Sequence, residues 1–265
     1  MIKYNISRMA DFINHHVDVA NSVAIILGSG LGGFTDRIEN QVVIKYQDIP
    51  EYPLPTVEGH SGEFVAGTYK TVKVLAAKGR FHYYEGHNLE TVQLPIKLFH
   101  KLGIKHLVIT NAAGSVKKSL VPGSLMVISG YADCTFRTSF ALPKIIRHTT
   151  KDMLEIVEKA RKKVNVRYER GIYCWTQGPA YETAAEVEFI RSLGGDAVGM
   201  STVPELQAAD ELNMEALGIS TITNYAAGIL NQPLTHQEVI DTANRTKNSF
   251  AKLIGATMEN IGKLK

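Results

Sequence analysis

The sequence predicts an α/β fold. Short apolar runs that end in Gly or Pro are typical of buried strands, and amphipathic stretches with helical spacing lie between several of these runs. Strands and helices therefore alternate along the chain, which is the order of elements in α/β proteins. The 265 residues contain no internal repeat, low-complexity tract or linker, so we expect one domain over residues 1–265.

The first predicted element is a helix, because apolar residues recur at helical spacing from Ile6 to Val17. Apolar runs predict strands at residues 23–27, 42–44, 72–77, 106–110, 126–129, 171–175, 197–200 and 219–223. Amphipathic patterns predict further helices around residues 92–99, 153–160 and 185–193. From about Thr235 onward, the apolar spacing predicts a long terminal helix packed against the rest.

Composition excludes several classes of protein. The net charge is only +3 and no block of five like charges occurs, so we expect no nucleic-acid partner. No apolar run approaches the roughly 20 residues of a membrane span, and the N-terminal segment lacks the apolar stretch of a signal peptide. Cys134 and Cys174 match no metal-ligand spacing and predict no disulfide framework, which favours a reducing, cytoplasmic setting.

The first predicted strand is followed by a glycine-rich turn, Gly-Ser-Gly-Leu-Gly-Gly at residues 28–33. Its amides can converge on an anion such as phosphate, and Ser29 adds a hydroxyl. An alternative is a dinucleotide fingerprint formed by Gly28, Gly30 and Gly33, with Asp48 as the ribose-binding acid. The segment before the next strand is too short for the crossover helix that this fingerprint requires. A tight turn without any ligand is a further alternative.

Two later loops carry cationic and hydrogen-bonding side chains among glycines, with His60 in one and Arg80 in the other. The guanidinium fork of Arg80 suits a phosphate. A zinc site at His82, Glu85 and His87 is not expected, because their spacing fits no zinc motif and Gly86 breaks the helix that such a motif needs.

The remaining motifs suit a heteroaromatic ring. Tyr181 and Glu182 combine an aromatic face with a carboxylate, although a helix start capped by Thr183 and Glu186 is an alternative explanation. Asn224 can donate to a base, and a plain turn asparagine is the alternative.

Taken together, these motifs resemble the trimeric purine nucleoside phosphorylases that act on 6-oxopurine nucleosides. The resemblance covers most of the chain and rests on LGSGLG at 27–32, VEGH at 57–60, GRFH at 79–82, TNAAG at 110–114, GPAYET at 178–183, GMSTVPE at 199–205 and ITN at 222–224. It implies a central mixed, partly barrel-like sheet flanked by helices. It also implies a homotrimer that converts (deoxy)ribonucleosides and phosphate reversibly to free base and pentose 1-phosphate in purine salvage.

The resemblance also implies roles for individual residues. Phosphate is expected to be held by Ser29, His60, Arg80, His82, the Ala112 amide and Ser201. The ribose is expected to contact Tyr84, Met200, Phe140 and His236, of which His236 reaches the 5′-hydroxyl. The base pocket is expected to comprise Tyr181, Glu182, Val198, Thr223 and Asn224. Catalysis is assigned to Asn224, His82, Glu182 and His236, with phosphate as co-substrate and no metal or organic cofactor.

The chain departs from the family pattern in two places. The segment at residues 131–140 is shorter than its family counterpart, which supplies a phenylalanine to the neighbouring subunit; Phe140 or Phe136 is expected to serve. Tyr181 stands where the family often has Phe, so its hydroxyl makes xanthosine a candidate substrate. Asn224 stands where related methylthioadenosine enzymes have Asp, which favours a 6-oxopurine. Two rival functions are a nicotinamide-dependent dehydrogenase and a nucleoside-binding protein without catalysis.

Overall fold

The computed structural model describes residues 4–57, 59–137, 141–148, 150–230 and 236–264, and of residues 236–240 and 243 it describes only the backbone. The strands in these ranges are β1 Val23–Ile26, β2 Glu39–Lys45, β3 Glu63–Tyr69, β4 Val72–Lys78, β5 His106–Ser115, β6 Leu125–Asp133, β7 Ile146–Arg147, β8 Glu169–Trp175, β9 Ala197–Gly199 and β10 Glu215–Tyr225. The helices are α1 Ile6–His16, α2 Leu89–Val92, α3 Leu94–Lys101, α4 Lys151–Val164, α5 Ala184–Ser192, α6 Val203–Glu211 and α7 His236–Ile261.

All of these strands belong to one mixed sheet, part of which closes on itself. β10 pairs with β6 on one side and with β5 on the other, so the series β10, β6, β8, β9, β5 forms a ring of neighbours. β1, β4, β3 and β2 extend the sheet outward from β5. The β5–β10 and β6–β8 pairs are parallel, whereas β6–β10 and β3–β4 are antiparallel. The predicted α/β fold with a partly barrel-like mixed sheet is confirmed.

Helices cover both faces of the sheet. Met9 and Ile13 of α1 belong to the same buried cluster as Leu98 of α3 and Leu206 of α6, on one face. On the other face, Val157 of α4 packs in a cluster with the apolar residues of α7. Within the described ranges, no helix is long and apolar enough to cross a membrane.

Several strands are longer than the apolar runs that predict them. β5 continues through Asn111 to Ser115, and β10 begins at Glu215 and ends at Tyr225. The two strands pair along this whole length, so their polar residues are buried and the apolar pattern underestimates the strands. The apolar pattern also does not indicate β3, β7 or α6. β3 contains Gly67, which lies against the Glu39 backbone, and glycine weakens a strand signal in the sequence.

The turn after β1 is not followed by an α-helix. A short 3₁₀ helix, Gly32–Arg37, fills the segment instead. β1 lies between β4 and β5, whereas β2 is three strands away from β1, at the edge of the sheet. Asp48 follows β2 and therefore cannot reach a ligand on the glycine turn as it would in a dinucleotide-binding unit. The structure therefore contradicts the dinucleotide alternative.

Candidate active site

A cavity of about 180 Å³ lies at the carboxyl ends of β1 and β4, beside the second halves of β5 and β10. Most of the predicted site residues meet there, although they come from six separate motifs and the residues beside them. The predicted residues that line it are Ser29, Arg80, His82, Tyr84, Ala112, Tyr181, Glu182, Val198, Met200, Ser201, Thr223 and Asn224. The sheet topology explains the meeting, because neighbouring strands deliver the ends of different motifs to one edge.

The glycine turn lies closely against β5. The amide of Gly28 donates to Oγ1 of Thr110 at 3.1 Å. A Cβ at Gly28 would lie 2.8 Å from the Thr110 carbonyl oxygen, so only glycine fits at this position. The close approach brings Ser29 beside the Asn111 and Ala112 segment that forms another wall of the cavity.

Arg80 is the charged group at one end of the cavity, and it is 1% exposed. Its Nε donates to Oε1 of Glu205 at 3.0 Å. Its Nη1 donates to the Thr110 carbonyl at 2.8 Å and to Oγ of Ser201 at 3.1 Å. Its Nη2 is buried and has no hydrogen-bond partner among the described residues. One nitrogen of the guanidinium therefore remains available to a ligand.

His82 stands beside Arg80 and is fixed by Glu85. The Glu85 carboxylate accepts from the His82 amide at 2.6 Å, contacts its Nδ1 at 3.2 Å, and accepts from the Thr56 amide and hydroxyl at 2.7 Å. Burial by itself would raise the pKa of Glu85, but the hydrogen bonds from His82 and Thr56 outweigh it and lower the pKa to about 2.

This contact network also bears on the zinc alternative. Both carboxylate oxygens of Glu85 are occupied by hydrogen bonds. Throughout the part of the chain that the structure describes, no group of three His, Cys, Asp or Glu side chains could hold a metal ion. Cys134 and Cys174 are both free thiols.

His60 is not among the residues that line this cavity; it lines a separate pocket with Pro55 and Gly62. Its ring centroid is 5.3 Å from that of His82, and its Nε2 is buried without a partner among the described groups. Burial, reinforced by the neighbouring His82 and Arg80, lowers the pKa of His60 to about 3. His60 is therefore a neutral imidazole at neutral pH.

The opposite end of the cavity carries an amide and a carboxylate. Oδ1 of Asn224 accepts from the Thr223 hydroxyl at 2.8 Å, and its Nδ2 donates to the Tyr225 carbonyl at 3.0 Å. Glu182 accepts a 2.5 Å hydrogen bond from the Thr176 hydroxyl. Burial raises the pKa of Glu182 above its ordinary value, although the Thr176 hydrogen bond opposes the shift.

The segment after β8 contains the capping arrangement and also places Tyr181 and Glu182 at the cavity. Thr183 and Glu186 form a capping box at the start of α5, with each side chain bonded to the other's backbone amide. Glu182 nevertheless turns into the cavity, and Tyr181 lines it while remaining 49% exposed. The cap fixes the helix start and so holds the two preceding side chains at the cavity.

The structure describes the side chains of only some of the residues assigned to the ribose. Tyr84 stacks on His82 with ring centroids 4.8 Å apart, and Tyr84 and Met200 both lie against Gly178, where a Cβ would be 2.9 Å from Cδ1 of Tyr84 and 2.5 Å from Sδ of Met200. His236 is the first residue of α7, and its side chain lies outside the described residues, as does Phe140. Phe136 does not line the cavity; it packs on Phe189 of α5 with ring centroids 5.8 Å apart.

Sequence reasoning missed three residues that position the site. Thr176 holds Glu182, Glu205 holds Arg80, and Thr202 accepts a 2.9 Å hydrogen bond from the Asn111 side chain. Thr202 has a φ of 76°, which is rare outside glycine, and this strained backbone lies next to Ser201 in the cavity lining. The motif at residues 199–205 includes Thr202 and Glu205, but no local pattern indicates that Glu205 faces Arg80.

Comparison with known proteins identifies consistent relatives. A family model described as the phosphorylase superfamily matches residues 22–259. Purine nucleoside phosphorylase 1 of Bacillus subtilis (strain 168) is 44% identical over 267 residues, covering 96% of this chain and 98% of the relative. A Schistosoma purine nucleoside phosphorylase solved with hypoxanthine superposes with a TM-score of 0.86 at 28% identity, covering 98% of this chain and 97% of that one. A Schistosoma mansoni structure with inosine gives a TM-score of 0.85 at 28% identity, with 98% and 96% covered.

Proposed function

Because the chain belongs to the purine nucleoside phosphorylase family, we propose that it catalyses the reversible phosphorolysis of 6-oxopurine (deoxy)ribonucleosides. The products are the free base and (deoxy)ribose 1-phosphate. The observation that carries the proposal is the cavity, which has buried hydrogen-bond donors at one end and a carboxylate and an amide at the other. A nucleoside with phosphate beneath its sugar presents the complementary groups.

Phosphate is assigned to the end of the cavity that contains Arg80. The unpartnered Nη2 of Arg80 and the unpartnered Nε2 of His60 are the supporting groups, because a buried polar group without a hydrogen-bond partner is costly until a ligand supplies one. Ser29, His82, the Ala112 amide and Ser201 complete the proposed set and line the same cavity. Phosphate is the co-substrate, and the proposed reaction calls for no metal or organic cofactor.

The bond that breaks joins the anomeric carbon to a ring nitrogen, so the transition state resembles an oxocarbenium ion. Negative charge on phosphate, held by Arg80 and its neighbours, favours the developing cation. A phosphate oxygen then attacks the anomeric carbon as the base departs, so no protein nucleophile is needed. Tyr84, Met200 and His236 are assigned to the ribose, with the neighbouring subunit's Phe140 or Phe136 closing the site.

Electron density moves into the purine as the bond breaks. Asn224 stabilises it by donating from Nδ2 to O6 or N7, and Glu182 fixes the N1 and N2 edge of the base. The support is the amide orientation, since the contacts to Thr223 and Tyr225 direct Oδ1 away and leave one N–H of Nδ2 free. Val198 and Tyr181 are assigned to the faces of the base, and the Tyr181 hydroxyl makes xanthosine a candidate beside inosine and guanosine.

Family membership supports a proposal for the assembly and the location of the protein. We propose that residues 1–265 form one domain that assembles as a homotrimer and acts in the cytoplasm. Sedimentation of the purified protein tests the proposed trimer. A monomeric chain would leave each ribose site without the phenylalanine of a neighbouring subunit.

The reaction is tested by measuring release of free base from inosine, guanosine, xanthosine and adenosine, each with and without inorganic phosphate. We expect phosphate-dependent release from the 6-oxopurine nucleosides and little from adenosine. Nucleoside binding without release would favour the non-catalytic binding protein. Binding of a nicotinamide cofactor with no phosphate requirement would favour the dehydrogenase.

A further inference from the structure

Arg80 does not stand alone in the cavity wall, because it is paired with a carboxylate that is buried as deeply as itself. Arg80 and Glu205 are each 1% exposed, and they are joined by the 3.0 Å bond from Nε to Oε1. A buried ion pair of this kind is costly to desolvate, and the replacement of one partner leaves the other charge uncompensated. The cost of burying such a pair indicates that it has a role at the cavity beyond stabilising the fold.

Residues 201–205 contact the guanidinium of Arg80 at two of its nitrogens. Glu205 is the third residue of α6, and Ser201 lies just before that helix. Ser201 accepts from Nη1, while Glu205 accepts from Nε. An acidic residue at this helix position usually bonds back to the helix start, but Glu205 points to Arg80 instead.

The donors of Arg80 can be accounted for one by one. A guanidinium has five N–H groups. Nε uses its hydrogen on Glu205, and Nη1 has contacts to the Thr110 carbonyl and to Ser201. Both hydrogens of Nη2 are left, and this nitrogen finds no acceptor in the described part of the chain. Glu205 thus determines which nitrogen of Arg80 is presented.

The pair also changes the charge of the site. The carboxylate of Glu205 cancels the positive charge of Arg80, and the neighbouring Glu85 adds a further negative charge next to His82. His60 contributes hydrogen-bonding capacity but no charge at neutral pH. An anion that enters this end of the cavity therefore meets hydrogen-bond donors with no net positive charge around them.

We propose that Glu205 is a positioning residue that aims Nη2 of Arg80 at phosphate and, by cancelling the charge of Arg80, keeps phosphate binding weak. Weak binding allows phosphate and the sugar phosphate to exchange readily in a reversible reaction. The inference rests on the proposed function, because it takes phosphate as the anion that Arg80 binds.

The test is Glu205→Gln, which keeps an oxygen acceptor for Nε and the side-chain volume but removes the charge. We expect the KM for phosphate to fall about 10-fold, because a nearby negative charge no longer opposes the anion. The KM for inosine should stay within about twofold of wild type, since the charge is removed only at the end of the cavity that contains Arg80. Glu158→Gln, which removes a carboxylate from an ion pair on α4, is the matched control and should change neither KM.

A binding measurement separates this role from a merely structural one. Without phosphate, E205Q should melt at a lower temperature than wild type, because Arg80 is left without its counter-charge. Titrated inorganic phosphate should then raise the melting temperature of E205Q more than that of wild type. The melting measurement needs no turnover, so it tests the role of Glu205 even if the wild-type protein releases no base. Failure to release base would refute only the proposed reaction.

Two results would overturn the proposal. The first is a folded E205Q protein whose phosphate KM and phosphate-dependent melting shift equal or are weaker than those of wild type. The second is an E205Q protein that stays unfolded even in saturating phosphate, because phosphate should replace the lost carboxylate as the partner of Arg80.

Discussion

The Thr223 hydroxyl donates a 2.8 Å hydrogen bond to Oδ1 of the adjacent Asn224. Together with the bond from Nδ2 to the Tyr225 carbonyl, this contact fixes which end of the amide is the donor. Nδ2 faces the cavity wall, since a Cβ at Gly114 would lie 3.1 Å from it. The Tyr225 carbonyl uses one hydrogen of Nδ2, so the other is left to donate to the purine of the proposed reaction.

Replacement of Asn224 by Ala should lower kcat for inosine by about 10²-fold or more, the magnitude typical of losing a donor that acts in the transition state. The steady-state rate with inosine and guanosine measures it. Unchanged turnover on both nucleosides would remove Asn224 from the reaction.

Replacement of Thr223 by Val should lower kcat by about 10-fold with a similar KM, because one hydrogen bond holds the amide orientation. Thr223→Ser keeps the hydroxyl and serves as the control. If the Val and Ser variants are equally active, the contact does not orient Asn224.

Replacement of Arg80 by Ala should raise the KM for phosphate more than about 10-fold, since the variant lacks the Nη2 donor. It should also lower the free energy of unfolding by about 3–5 kcal/mol, because Glu205 becomes a buried, unpaired charge. Lys78→Ala removes a partly exposed cation that pairs with Glu63 and should do neither. Steady-state kinetics measures the KM for phosphate, and chemical denaturation measures the free energy of unfolding. An unaltered phosphate dependence would exclude Arg80 from the site.

The acid limb of the pH profile should depend on Thr176. The proposed role of Glu182 requires its ionised form, and burial raises the pKa of this carboxyl, so kcat/KM for inosine should fall as the pH drops through that raised value. Thr176→Val removes the hydrogen bond that lowers the pKa and should move the limb to higher pH, whereas Thr176→Ser should not. Superimposable profiles for all three proteins would contradict the assignment.

The stability of the protein should depend on His60 in acid. Its pKa in the folded state is about 3, well below its ordinary value of 6.5, so folding favours the neutral ring. Its contribution is present above the ordinary pKa and is lost as the pH falls toward the folded-state pKa. The free energy of unfolding should therefore decline less for His60→Gln than for wild type between about pH 7.5 and about pH 4.5. Parallel declines in urea denaturation would show that His60 is not held neutral.

The sequence specified the elements whose signals are local. The helix at residues 6–16 and the end of β1 near Leu27 follow from apolar spacing, and the capping box of Thr183 and Glu186 follows from residues three apart. Motifs at strand ends indicated most of the cavity lining, because a strand's carboxyl end is where an α/β sheet exposes polar groups.

Only the tertiary structure decided the features that join distant segments. Closure of the barrel by β10 and β5, the pairing of Arg80 with Glu205 and the contact of Thr176 with Glu182 each depend on how the sheet brings strands together. Arg80 and Glu205 are 125 residues apart, and no periodicity in either segment indicates a partner at that separation. The sequence by itself determined which chemical groups are available to the site, and the packing of strands determined which of their atoms face a ligand, because burial and hydrogen bonding are set by neighbours in space.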